Sequence, residues 1–200
     1  MQITYGQNDW ISIGDGQWTW ANGLIVQSEG SSDPQDLIFH AGSSSAERTI
    51  KARICFSMLY YEGEARFGIR IFHNGTTDGV SLILHDPGSL VFHEDVMGCQ
   101  SGIEWLPTIG VYYWFKAYYN PVNNTCYGKV WEDGDSEPDW QVIFQPTFDG
   151  GSAANYPYFG IAGDPGWSDI IAQADNFSMD EPANFKPWFK SGEIMLGGGF

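Results

Sequence analysis

The 200-residue chain is short of positive charge: nine Lys and Arg stand against 25 Asp and Glu, for a formal net charge of −16. Phosphate recognition needs clustered cations that release counterions, so nucleic acid is not expected as a partner. The same acidity disfavours anionic membranes and anionic polysaccharides as ligands. Long apolar runs are missing too. No stretch approaches the ~20 residues of a membrane-spanning helix, and the start, MQITYGQNDW, has neither the basic segment nor the apolar run of a signal peptide. Cysteine is scarce: Cys55, Cys99 and Cys126 are odd in number and have no metal-ligand spacing. That leaves partly buried free thiols, or one disulfide. Helical periodicity is nearly absent.

Catalytic signatures are lacking as well. Glycoside cleavage with retention needs two carboxylates about 5 Å apart, one of them protonated. Here Glu62 and Glu64 in YYEGEARF read as a turn, and Asp133, Asp135 and Glu137 straddle Gly134. No G-x-S-x-G is present. His40, His73, His85 and His93 fall at or near the ends of predicted strands, where a histidine serves to bond a turn. Zinc has no His-x-His or close Cys/His set to bind. No catalytic residue is expected.

What the chain does have is aromatic and β-branched: 42% of it is hydrophobic and 16% aromatic, with nine Trp and 25 Gly. Short runs of such residues alternate with Gly, Pro, Asn and Asp, the pattern of an antiparallel sandwich. Strands are predicted at Trp18 to Gln27, Leu37 to His40, Thr49 to Tyr61, Ala65 to His73, Val80 to His85, Leu90 to Asp95, Val111 to Tyr119, Cys126 to Trp131, Trp140 to Gln145, Tyr158 to Ala162 and Ala172 to Met179. Alternation puts Phe67, Ile69 and Ile71 on a core face, with Arg66, Arg70 and Phe72 on a partly wet one. VYYWFKAYYN carries aromatics on both faces, as a central strand does when its second face lines a ligand surface.

The stretch KVWEDGDSEPDW concentrates Glu132, Asp133, Asp135, Glu137 and Asp139 around Gly134 and Pro138. Asp-Gly marks a turn and Pro ends strand pairing, so the segment is expected to be a hairpin tip whose carboxylates point into water.

The run from Trp114 through Lys129, Val130, Trp131, Gly134, Glu137, Pro138 and Trp140 resembles the paired late strands of concanavalin A-like jelly-roll domains of the LamG-like and glucanase-like kind. YFGIAGDPGW followed by Asp175, Asn176 and Ser178 is similar to that family's closing strands, and WTWANGLIVQS to its opening one. The resemblance spans roughly residues 17 to 180. It implies an all-β fold: two antiparallel sheets packed face to face, with a concave sheet open to a ligand. The Glu-x-Asp-x-x-Glu of the related glucanases is absent, which sets hydrolysis aside as the lesser alternative. In related jelly rolls an Asp of the last strand holds a structural calcium ion, and Asp175 is the matching position.

Three segments follow: an N-terminal arm (1–16), the jelly roll (17–180) and a tail (181–200). Sugars stack on aromatic faces while sparse polar groups take their hydroxyls. Candidate carbohydrate contacts are therefore Tyr112, Trp114, Tyr118, Asn120 and Trp167, with Tyr60, Tyr61 and Tyr156 near loops. Apolar Phe185, Trp188, Phe189 and Phe200 in the tail call for cover, by this domain or by other subunits. The function expected is a non-catalytic, lectin-like jelly roll contacting glycans, displayed on a phage or virus particle or otherwise outside the cell, and able to form homo-oligomers. A free-standing bacterial carbohydrate-binding module is the alternative.

Overall fold

The structure is a computed structural model. It describes residues 11–13, 17–21, 24–29, 35–40, 47–59, 66–74, 78–85, 88–95, 97–147, 158–164, 171–180, 189–190 and 193–194. Among them are sixteen strands and no helix: β1 (Ile11–Ile13), β2 (Gln17–Ala21), β3 (Leu24–Glu29), β4 (Gln35–His40), β5 (Arg48–Met58), β6 (Arg66–His73), β7 (Gly79–His85), β8 (Gly88–Glu94), β9 (Gly98–Trp105), β10 (Tyr112–Asn120), β11 (Thr125–Glu132), β12 (Val142–Phe144), β13 (Tyr158–Asp164), β14 (Ile171–Asp180), β15 (Phe189–Lys190) and β16 (Glu193–Ile194).

Two seven-stranded sheets result. The first runs β1-β4-β13-β6-β7-β8-β9 and the second β12-β11-β10-β5-β14-β3-β2, while β15 and β16 pair with each other. Every pairing is antiparallel. Inward side chains of both sheets meet in one core, including Ile54, Phe56, Phe67, Leu82, Phe92 and Phe115. Each such side chain, fully buried, contributes about 1.5–3 kcal/mol. Edge-to-face contacts order them: Phe72 meets Tyr119 at 4.8 Å and 89°, and Phe56 meets Phe67 at 6.1 Å and 80°.

β10 follows its sequence alternation throughout. Tyr113, Phe115, Ala117 and Tyr119 are buried, and the residues between them are half-buried. Elsewhere the structure departs from expectation. Trp18 to Gln27 is two strands, β2 and β3, which pair antiparallel with Ala21 opposite Leu24. β9 was not expected: its two glycines weaken strand preference, and pairing along β8 overrides that.

β6 differs in facing. A register shift between Arg70 and Phe72 turns Phe72 into the core. The opposite face of β6 is covered over most of its length, where Arg70, Ser81, His93, Ile83, Val91 and Ala162 are buried, and stays half-buried at Arg66. Cys55 and Cys126 are free thiols, and burial pushes the Cys126 thiol pKa up.

Candidate functional site

Cross-strand register builds the site on the outer face of the second sheet. β5, β10 and β11 lie side by side, and their outward residues form three rows. Arg53, Trp114 and Trp131 make the first, Lys51, Lys116 and Lys129 the second, and Thr49, Tyr118 and Tyr127 the third. Aromatic residues opposite one another stack. Trp114 and Trp131 do so at 6.3 Å and 25°, and Tyr118 and Tyr127 at 5.9 Å and 23°. Trp140, from the segment after β11, joins the second stack at 6.2 Å and 24° from Tyr118. The lysine row thus runs between two aromatic walls. Lys51 Nζ lies 3.9 Å from the Trp114 ring centre and 5.0 Å from that of Trp131, and Lys129 Nζ lies 4.2 Å from that of Trp140.

The acidic segment is not a tip held wholly in water. Gly134, with φ at +104°, turns the chain as only glycine readily does, and the residues after it return to the sheet face. Asp133 accepts hydrogen bonds from Arg53 Nη1 (2.7 Å) and Trp114 Nε1 (2.8 Å). Glu137 accepts one from Lys116 Nζ (2.8 Å) and lies 2.7 Å from Lys129 Nζ, which donates to the Pro138 carbonyl at 2.8 Å. The Gln141 side chain stands in for a strand partner, accepting from the Val130 amide at 2.7 Å. The physical reason is the cations: two of the carboxylates find partners beside their own strand. All five acids, Glu132, Asp133, Asp135, Glu137 and Asp139, remain exposed, as expected.

These pairings set the acidities. Burial alone would weaken Glu137 as an acid, but hydrogen bonds and charge from Lys116 and Lys129 outweigh it and hold its pKa at about 2. The hydrogen bond from Arg53 lowers Asp133. Both shifts favour the ionised carboxylate, the opposite of the raised pKa that suits the acid of glycoside cleavage. Burial pulls Lys51 below the ordinary lysine range.

Asp175 sits on the far side of Arg53. Its two oxygens accept from Arg53 Nε at 2.7 Å and Nη2 at 2.5 Å. It reaches the outer face through a bulge: Asn176 adopts φ 49°, and the register passes from Asp175 opposite Arg53 to Ser178 opposite Lys51. Phe177 points into the core and stacks on Phe159 at 5.6 Å and 10°. Calcium does not fit this arrangement, because both oxygens face a guanidinium that would repel the ion. Among the described residues no group of three His, Cys, Asp or Glu could hold a metal.

Of the predicted contact residues, Tyr112, Trp114 and Tyr118 share this face. The Tyr112 hydroxyl accepts from Gln173 Nε2 at 2.6 Å, with Arg53 Cζ 4.5 Å from its ring centre, and the Tyr118 hydroxyl donates to Glu47 at 2.9 Å. Asn120 lies at the end of β10, where its Oδ1 accepts from the Val122 amide at 2.9 Å and caps the following turn. Trp167, Tyr60, Tyr61, Tyr156, Phe185, Trp188 and Phe200 lie outside the described residues. Phe189 lies in β15, opposite Ile194. Sequence reasoning did not place Lys51, Arg53, Lys116, Tyr127 and Lys129 in the site. The alternation of β11 (Tyr127, Lys129, Trp131) was the signal that could have found half of it.

No protein-family model matches the chain, and no curated protein matches it by sequence. Solved structures do match. Lectin II of Ulex europaeus, described in complex with galactose, superposes with a TM-score of 0.59 at 8% identity, over 89% of this chain and 94% of the lectin. The carbohydrate binding module CBM66 of Bacillus subtilis gives 0.58 at 10% identity, over 86% and 96%. The fold is the concanavalin A-like jelly roll. Peanut lectin, at a TM-score of 0.57 and 12% identity over 90% of this chain and 96% of the lectin, has the same arrangement. At such identities the likeness is one of fold, and in this jelly roll function must be argued from the site.

Proposed function

We propose that this jelly roll is a non-catalytic carbohydrate-binding protein and that the outer face of β5, β10 and β11 holds the saccharide. The observation that carries it is the pair of aromatic stacks, Trp114–Trp131 and Tyr118–Tyr127–Trp140, half-buried except for the exposed Trp140 and flanking polar groups in one sheet face. Rings present an apolar surface to a sugar, and the ammonium groups between them take its hydroxyls. The lectin and carbohydrate-binding-module structures that share the fold support this choice.

The test is an oligosaccharide array read with the wild-type chain and with W131A and W140A. Loss of one stacking contact is expected to weaken binding about tenfold, equivalent to ~1.4 kcal/mol, with the melting temperature little changed. Binding that persists undiminished in both variants places the saccharide elsewhere.

Display on a larger assembly, at a virion surface or elsewhere outside the cell, is a second element of the proposal. It rests on the apolar residues of the 181–200 segment, Phe185, Trp188, Phe189 and Phe200. Self-association of the full chain that disappears when residues 181–200 are deleted would support it. A full chain that stays monomeric, with this segment resistant to protease, would remove that support.

A further inference from the structure

The chain places four of its nine cations, Lys51, Arg53, Lys116 and Lys129, on one sheet face. Three are lysines in direct register on neighbouring strands, Lys51 opposite Lys116 and Lys116 opposite Lys129. Like charges directly opposite one another across strands destabilise a sheet. In a protein of net charge −16, carboxylates to separate them were available in abundance.

Among the described residues the row holds a single counter-charge. Glu137 bridges Lys116 and Lys129 at 2.8 and 2.7 Å. Asp133 is committed to Arg53 and Trp114, and Asp175 to Arg53; Glu47 lies beyond the row, on the Tyr118 hydroxyl. Lys51 has the Trp114 and Trp131 rings beside it but, among the described residues, no carboxylate within ion-pair distance. Burial makes its charge costly, and a second anion would relieve that cost. The bridging group that the chain supplies is itself a carboxylate, held between the aromatic walls on a half-exposed side chain.

We propose that the saccharide taken on this face is an acidic one, with a carboxylate that docks on Lys51 in the lysine row while its ring packs against the aromatic walls. Glu137 is then the internal carboxylate that the ligand's own must share the row with. This inference rests on the carbohydrate-binding reading and narrows it. It also reverses the expectation from net charge, because at physiological salt the screening length is about 8 Å and the nearest charges decide.

The experiment pairs each acidic oligosaccharide (oligogalacturonate, oligomannuronate, sialyllactose) with its methyl ester, which keeps the rings and removes the charge. Titration calorimetry measures both against wild type, K51Q, K51R and E137Q, each checked for an unchanged melting profile. At least one acid is expected to bind about tenfold or more tighter than its ester, the size of one charge-assisted hydrogen bond. K51Q is expected to erase the difference, K51R to keep most of it, and E137Q to tighten the acid alone. Equal binding of acid and ester, or a preference that survives in K51Q, overturns the inference and leaves the carbohydrate reading standing, provided W131A weakens both forms. No binding of any acid or ester, together with none to a neutral array, removes both.

Discussion

On the outer face of the first sheet Arg70 is sealed, 5% exposed, with its Nη1 2.8 Å from both oxygens of Asp95; on that of the second sheet Arg53, 26% exposed, binds Asp133 and Asp175 in contact with water. Both are strand arginines facing carboxylates, and the chemistry of the pairs is the same. Burial separates them. Arg70 belongs to a closed network in which His93 Nδ1 lies 3.3 Å from Asp95 and Arg66 Nη1 lies 3.1 Å from His93 Nε2. Arg53 belongs to a surface of rings and ammonium groups that another molecule can still touch. The same fold has closed one outer face around its arginine and left the rings and ammonium groups of the other in reach of solvent.

The largest effect should follow from R70M. It leaves Asp95 mostly buried without its guanidinium, and breaking such a pair costs about 3 kcal/mol, read as a fall in urea midpoint with unchanged slope. A loss below ~1 kcal/mol would mean that the first face is as wet as the second, and the contrast would collapse.

Acid titration sharpens the comparison next. Arg70 and His93 hold Asp95 below its ordinary pKa despite the burial that would raise it, and the two lysines hold Glu137 at about 2. A folded-state pKa below the unfolded value means stability that is present above the unfolded pKa, about 3.9–4.3, and lost as pH falls toward the folded one. Stability should therefore fall between roughly pH 4.5 and 2, and R70M should flatten that fall more than E137Q does, because Glu137 is the more exposed of the two. Equal flattening would contradict the assignment of Asp95 as the buried partner.

R53M should cost less than R70M, about 1–2 kcal/mol: Asp133, 36% exposed, is released to water, and Asp175, though only 14% exposed, keeps the Asn176 amide as a donor at 3.1 Å. A cost as large as that of R70M would show that the open face is also structural. Smallest of all is the response to metal. With Asp175 committed to Arg53, adding calcium or a chelator should leave the melting temperature in place, and a clear rise with calcium would show that the ion displaces the guanidinium.

Much of the second sheet could be read from sequence because its strands alternate cleanly. The inner and outer sets of β10 were legible residue by residue, and with them Tyr112, Trp114 and Tyr118. β6 was less legible, since one register shift reassigns Phe72 and no local pattern announces it. The acidic segment was legible as a turn at Gly134 but not in its destination. Its partners Lys116 and Arg53 lie 21 and 80 residues away along the chain.

Composition and period-two alternation by themselves determined an all-β sandwich, its main strands and the aromatic outer side of β10, because burial of alternate side chains is a local consequence of strand geometry. Tertiary structure alone decided which strands stand side by side. Lysines at 51, 116 and 129 are unremarkable in the sequence and become a row only when β5 and β11 flank β10 in register, and charge density depends on distance in space, not on separation along the chain.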